Sequence, residues 1–584
     1  MKSLLRLLVF VRKYWAWLTL GFICLLATTG FGLAVPWFIR QVIDNIISSG
    51  DRGFLIIAAV AVVGASALRG IFAFGWHYLG EATSQKTGYD IRNAIYDQLQ
   101  RLSFAYHDQT QTGQLMSRAT VDVEAVRQFL GRGLLGLGRF IVMFIAISFL
   151  LISMNWQLAL FSMLFLVAIG FRTVNVGRAL RPIWLRVQQL MGTLGTTLEE
   201  NLIGVRIVKS FSRQQDESRK FSADARLLYD EQIKAARQIA FNIPLMTFLI
   251  ALPVALVLWY GGRQVIAGNL TMGELSQFIL YLVMMTQPIR QLGMLTNNIS
   301  RAMSASQRIM EVLDTRSPVQ DKPGAVKLGP VDGQVSFENV SFGYDSSVPV
   351  VKNLSFTVQP GELVALVGSL GSGKSTIAQL IPRFYDVTSG AVTVGGVDVR
   401  DVTIPSLRQN VGIVQQDIFL FAATIRDNIA YGAVNADMEQ IEAAARAASL
   451  HDFIQSLPGG YETMVGERGI TLSGGEKQRL AIARTLLMNP GILILDDSMS
   501  SVDAKTEHLI RDALDKLIKG RTTFIITHRM SLIQNADIIL VMDGGEIVER
   551  GKHEELIAKQ GLYQQIYQAQ LSAAQVSAEG LVEE

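Results

Sequence analysis

At 584 residues the chain exceeds one ordinary hydrophobic core, so two or more domains are the starting expectation. Hydrophobic residues make up 49% and charged residues only 18%, with a mean hydropathy of +0.30, which excludes a chain lying wholly in water. A net charge of +3 without a basic block argues against nucleic acid as a partner, and the single cysteine, Cys24 in an apolar tract, excludes an intrachain disulfide and reads as a small packing residue.

The first segment, MKSLLRLLVFVRK, is basic and amphipathic. The apolar run behind it is longer than the roughly 7–15 residues of a signal-peptide core, which favours a membrane helix over a cleaved leader. Apolar stretches follow at about 15–37, 54–79, 134–153, 157–174, 241–262 and 274–294. About 20 residues suffice to cross the hydrocarbon, so six membrane helices are expected. Lys and Arg crowd the N-terminus, the segment 80–132 and the segment 172–240, whereas the opposite loops carry only Arg40, Arg52 and Arg263. The positive-inside rule then places both termini in the cytoplasm, with no extracellular domain.

The two basic segments are rich in helix formers and are expected to prolong the membrane helices. Each contains a break, at Ser103-Phe104-Ala105-Tyr106-His107 and at Asn201-Leu202-Ile203-Gly204-Val205. Apolar side chains there would face water unless a protein partner or a neighbouring loop covers them. Arg69, near the middle of the second span, is too deep to reach the interface easily and points to an inner cavity. Trp76, His77, Arg139, Met284, Met285 and Gln287 are candidate lining for an amphipathic ligand, or else helix-packing residues.

Residues 1–313 thus read as a membrane domain. Pro318, Pro323 and Pro330 mark a linker over 314–334. From 335 to 584 short β-rich runs alternate with helical patterns, the mark of an α/β domain with a largely parallel sheet. Within it Glu362-Leu-Val-Ala-Leu-Val367 reads as a buried strand that feeds Gly368-Ser-Leu-Gly-Ser-Gly-Lys-Ser-Thr376, the P-loop pattern, followed by a helix. Gly368, Gly371 and Gly373 let backbone N–H groups of the loop, through Ser372 and Thr376, wrap phosphates, while Lys374 and Ser375 reach the phosphates and a magnesium ion. Pro382 should end or kink that helix. A second apolar strand, "ILIL", runs into Asp496 and Asp497, and a carboxylate at the carboxyl end of such a strand is placed to bind magnesium. Asp496 takes that role, and Asp497 stands where an attacking water would be polarised.

Thr471-Leu-Ser-Gly-Gly-Glu-Lys-Gln-Arg479 resembles the signature motif of ATP-binding cassette (ABC) proteins, and other motifs agree in order and spacing. Tyr344 resembles the aromatic residue that stacks on adenine, Gln416 in "IVQQD" the Q-loop glutamine that also meets the metal, and His528 in "IITHR" the switch histidine. Ser500-Ser-Val-Asp503 is similar to the D-loop, and Thr463-Met-Val-Gly-Glu-Arg-Gly469 to the X-loop of exporters. The resemblance covers essentially the whole chain and implies a half-transporter of the multidrug and lipid exporter type. It implies a six-helix transmembrane domain with long cytoplasmic helical extensions, fused to an α/β P-loop nucleotide-binding domain and integral to the bacterial inner membrane. It also implies that Ser473, Gly474, Gly475 and Glu476 clamp a nucleotide held by a second cassette, with ATP and Mg2+ as cofactors.

The family's usual residue after the magnesium aspartate is glutamate. Asp497 is one methylene shorter, so the chain resembles the degenerate-site subunit of a heterodimer, paired with a half-transporter whose glutamate is intact. A homodimeric exporter and a nucleotide-gated regulatory subunit with little turnover are the alternatives. Membrane lipid and a hydrophobic small molecule complete the expected partners.

Overall fold

The computed structural model describes residues 2–579 apart from 50–52, 346–347, 434, 467–471, 497–503 and 528. The chain divides into two units, Met1–Gln100 with Thr112–Thr315, and Arg101–Gln111 with Arg316–Glu584.

The first unit begins with α1 (Lys2–Arg12), whose Leu4, Leu7 and Val11 are buried at helical spacing. Next come α2 (Trp15–Ser49) and α3 (Gly53–Arg101), a short α4 (Phe104–Gln109), α5 (Thr112–Met154) and α6 (Trp156–Ile203). A short α7 (Val205–Ser210) is followed by α8 (Gln214–Ile266) and α9 (Met272–Asp314). The chain therefore bends at both anticipated breaks. Helices α2, α3, α5, α6 and α8 are long and apolar enough to span a membrane; in α9 the apolar stretch among the described residues is the shorter Met272–Thr286. So five of the six expected spans have that character. On α3, Ile56, Ile57, Val60, Val63, Ile71 and Phe74 are exposed, an apolar surface suited to lipid and not to water.

Packing inside this unit falls into separate clusters. Met143, Ile147 and Leu151 of α5 meet Leu158 and Leu166 of α6 and Phe278, Tyr281 and Met285 of α9. Another joins Leu4, Leu7 and Val11 to Ile91, Ile95, Val123, Val126, Ile309 and Val312. Cys24 packs with Leu25, Trp76 and Leu135, as a small core residue does.

In the second unit the proline-rich segment has no regular element before Val335 except a bridge between Val326 and Val402. The strands are β1 (Val335–Phe342), β2 (Val351–Val358), β3 (Leu363–Gly368), β4 (Ser389–Val394) and β5 (Val397–Asp398), then β6 (Val411–Val414), β7 (Ile492–Asp496), β8 (Thr522–Ile526), β9 (Ile538–Asp543) and β10 (Glu546–Gly551). They form a four-stranded antiparallel sheet, β2-β1-β4-β5, and a six-stranded sheet, β10-β9-β3-β8-β7-β6, parallel except at β10. Alternation sorts the central strands between two cores. Ala365, Val367, Leu493 and Leu495 face one, while Val364, Leu366, Ile492 and Ile494 face the other. The helices that matter for the site are α10 (Lys374–Leu380), α11 (Ile425–Ala430) and α12 (Gly474–Met488). Helix α10 stops two residues before Pro382, consistent with the missing N–H and the bulk of that ring.

Candidate functional site

Strand β3 delivers the chain into a turn that only glycines can make. Gly368 has a φ of 153°, and a Cβ there would collide with the Met542 carbonyl oxygen; one on Gly373 (φ 99°) would meet Val351 Cγ1 at 2.8 Å. Gly371 (φ 79°) has open space and is required for its backbone angle alone. Ser372 and Thr376 are buried, whereas Ser375 is exposed on the first turn of α10. Lys374 Nζ arches back over the loop, donating to the carbonyl oxygens of Gly368 (3.0 Å) and Ser369 (2.7 Å). Burial lowers the lysine pKa from its ordinary value, and the charge of Asp496 opposes that shift. A glycine loop with a partly desolvated cation at a helix N-terminus is chemistry for a polyphosphate.

The sheet brings the remaining groups to the same edge. Because β3, β8, β7 and β6 are parallel, Leu366 lies level with Ile526, Ile526 with Asp496, and Leu495 with Val414. From that edge leave the P-loop after β3, Thr527 after β8, Asp496 at the end of β7 and Gln416 after β6, and the crevice at the carboxyl ends of parallel strands is where such sheets bind ligands. Asp496 is partly buried at the end of β7, and Gln416 is exposed two residues beyond β6. Asp497 and His528 lie outside the described residues, as do the Ser500–Asp503 segment and positions 467–469 of the X-loop pattern. The Ser375 hydroxyl, the Asp496 carboxylate and the Gln416 amide are hard oxygen donors, a set that fits magnesium sharing its shell with phosphate oxygens.

Ser473 caps α12. Its N–H donates to Glu476 Oε2 at 2.8 Å and its Oγ accepts from the Glu476 N–H at 3.4 Å, a reciprocal capping box. Ser473 and Gly474 are exposed and Gly475 is buried. Glu476 therefore fixes the main chain of the signature serine, a task the motif alone did not announce. Arg484 ties α12 to α11, donating to the Asn428 carbonyl (2.9 Å) and to Asn428 Oδ1 (3.1 Å). Burial holds the Arg484 pKa below its ordinary value.

Tyr344 stands beside the P-loop helix. Its hydroxyl lies 3.2 Å from Thr376 Oγ1 and donates to Gln379 Oε1 at 2.7 Å. Its ring meets Phe342 and Tyr385 edge to face, with centroids 5.1 Å away in both cases. Tyr385 and its neighbour Phe384 were missed in the sequence; the available signal was an aromatic pair directly behind a helix-stopping proline. Phe104 of α4 stacks on Phe384 at 4.1 Å, the Tyr385 hydroxyl bonds the Asp108 carboxylate, and Ala105 joins the same core. The first apolar break is thus covered within the second unit. At the second break Leu202, Ile203, Val205, Ile207 and Phe211 are exposed.

The candidate cavity residues separate into groups. Met285 is buried and Met284 packs against the same α5–α6–α9 cluster, so both act as packing residues in this structure. Trp76 is buried, with the His77 ring 3.9 Å away and the Arg139 guanidinium 5.9 Å from its ring centre. Arg69 is exposed beside Gly32. The Gln287 side chain lies outside the described residues.

Residues 18–289 match the ABC transporter transmembrane region, and residues 351–500 match the ABC transporter domain. Over 574 residues the chain is 36% identical to an ATP-dependent lipid A-core flippase of Syntrophus aciditrophicus (strain SB), covering 98% of this chain and 95% of that protein. It is also 36% identical over 545 residues to the putative multidrug export ATP-binding/permease protein YgaD of Bacillus subtilis (strain 168), covering 92% of this chain and 94% of the relative. Among solved structures, a bacterial Atm1-family ABC exporter with ATP bound is similar with a TM-score of 0.80 at 31% identity, covering 95% of this chain and 98% of that one.

Proposed function

The chain belongs to the ABC exporters, with a transmembrane region and an ATP-binding domain fused in one polypeptide, and from that premise we propose that it serves as one half of a heterodimer whose own ATP site hydrolyses slowly. The cargo is a hydrophobic or amphipathic compound, a drug or a lipid, moved out across the bacterial inner membrane. In this reading α9 supplies the sixth span and both termini are cytoplasmic.

One observation carries the asymmetric reading: Asp497 stands where the family places glutamate. The missing methylene withdraws the carboxylate by about 1.5 Å, and a misplacement near 1 Å costs on the order of 100-fold in rate. The groups that bind nucleotide are intact. Backbone N–H groups of the P-loop and Lys374 bind and orient the phosphates, while Asp497 and His528 act on the attacking water. Ser375, Asp496 and Gln416 would hold magnesium, which when bound with the nucleotide would neutralise charge on the phosphate oxygens. Ser473, Gly474 and Gly475 clamp the nucleotide of the partner's competent site.

The test is steady-state hydrolysis by the purified full-length chain in nanodiscs. It should bind ATP and turn it over weakly, and co-assembly with a cassette half that carries Asp-Glu at this point should raise turnover by about 100-fold. Vigorous, cooperative hydrolysis by the chain alone would establish the homodimer and remove the slow site.

A further inference from the structure

We propose that Tyr567 is a positioning residue for the switch histidine: through it the last described helix of the cassette sets where the segment 527–534 stands, and with that the rate of hydrolysis at this chain's own site but not its affinity for ATP. The proposal deepens the reading above and rests on His528 acting on the attacking water.

Helix α13 (Met530–Ile533) begins two residues after His528 in the chain. With only four residues it cannot hold its own shape in water, since a first helical turn costs more order than its hydrogen bond returns. Upstream the segment is fixed by β8, an interior strand of the sheet, and by the Arg529 N–H donating to Oγ1 of the buried Thr527 at 3.1 Å. Downstream it depends on what α13 packs against. Leu532, Ile533 and Ala536 are buried in one core with Leu556 of α14 (His553–Ala558) and Tyr563 of α15 (Leu562–Glu579), and Met530 and Ile566 pack against the same core.

Helix α15 is itself firmly anchored. Glu549 of β10 accepts from the main-chain N–H groups of Leu562 at 2.6 Å and Tyr563 at 3.2 Å, and a Cβ on Gly561 would collide with that carboxylate. The Tyr563 side chain is fully buried, its hydroxyl 2.7 Å from His553 Nδ1. Burial, and then the nearby Tyr567, push the Tyr563 pKa up to about 12, so this hydroxyl stays neutral across the physiological range. One turn further on, Tyr567 is half-buried. Its hydroxyl accepts from Gln534 Nε2 at 3.1 Å, and its ring meets the His553 ring at 5.2 Å. Tyr567 therefore joins a fixed helix to Gln534, the residue at the carboxyl end of α13. A general acid or base works only within hydrogen-bond reach of the proton it moves, and a misplacement near 1 Å costs on the order of 100-fold in rate. Loosening α13 should thus slow hydrolysis while the groups that hold phosphate keep their places.

The experiment uses the full-length chain in nanodiscs and two readouts, the dissociation constant for Mg-ATP and the single-turnover rate of hydrolysis of the radiolabelled nucleotide. Tyr567→Ala removes a half-buried ring and leaves Tyr563 and Glu549 in place. It should slow hydrolysis by about tenfold or more with the dissociation constant unchanged, while Tyr567→Phe, which keeps the ring, should slow it by about fivefold. Gln534→Leu should act like Tyr567→Phe, and the two together should be no slower than the worse one, because both remove a single hydrogen bond. An unchanged rate with Tyr567→Ala, or a dissociation constant that worsens by the same factor as the rate, would overturn the proposal. His528→Ala separates the two readings. If it leaves the rate unchanged, the switch assignment falls and the proposal with it; if it abolishes hydrolysis while Tyr567→Ala is silent, only the positioning role falls. Whether the unaltered chain is slow or vigorous bears on the heterodimer alone, because every comparison is a ratio to that rate.

Discussion

At the residue scale, space and backbone angle constrain the glycines of one loop differently. A Cβ on Gly368 would collide with a main-chain oxygen held in the central sheet, whereas Gly371 has only an unfavourable angle to lose. Gly371→Ala should therefore cost about 1–2 kcal/mol, the left-handed penalty of an L-residue, and keep measurable Mg-ATP binding. Gly368→Ala should abolish that binding, and calorimetric titration of the two variants side by side distinguishes them. Glu476 supplies a second contrast. Glu476→Ala removes half of the capping box and should cost about 1 kcal/mol, whereas Glu476→Gln keeps an acceptor in place and should leave the thermal midpoint of the cassette nearly unchanged. An equal loss for both would mean that the charge, not the cap, is what α12 needs.

At the scale of elements, α1 shows which force fastens a helix to its neighbours. Leu7 is 1% exposed within a cluster shared with α3, α5 and α9, while Arg6 and Asp314 form a bidentate ion pair at the surface. Deleting a buried leucine side chain costs about 2–5 kcal/mol, and an ion pair open to solvent contributes far less. Leu7→Ala should thus release α1, seen as faster hydrogen exchange over Lys2–Arg12, and Arg6→Ala should barely alter it. The pH dependence follows the same logic. Arg6 depresses the Asp314 pKa, so the pair contributes above the ordinary aspartate range and is lost only as pH falls through the lowered value. Acidifying from about pH 7 to about pH 5, still above the ordinary aspartate pKa of about 3.9, should leave exchange of α1 unchanged.

For the whole molecule, the asymmetric reading makes one face of the chain matter more than the other. Ser473→Ala weakens the clamp on the partner's site and should lower turnover of the complex by about 100- to 1000-fold, by analogy with lost oxyanion donors. Asp497→Asn removes a base already poorly placed and should cost much less; equal damage in a steady-state assay would mean that both sites hydrolyse. How much of this was legible in the sequence depends on the range of the interactions involved. The P-loop, the Asp496 strand end, the signature serine and the break at 103–107 were legible because each is written in a few consecutive residues whose geometry is local, whereas the cap that Glu476 makes on Ser473 came only from the structure. Five of the six apolar runs marked helices long and apolar enough to span for the same reason, yet they could not say which side faces in. A helix apolar over most of its circumference carries no periodic signal, so nothing separated Met285, which packs, from Arg139, which lies beside Trp76. The bond between Asp108 and Tyr385 spans 277 residues. By itself the sequence determined that this chain holds a nucleotide beside a membrane domain. Only the tertiary structure decided which aromatic residues cover the short helix at the first break, because that contact depends on two distant segments meeting in one core and leaves no pattern in either.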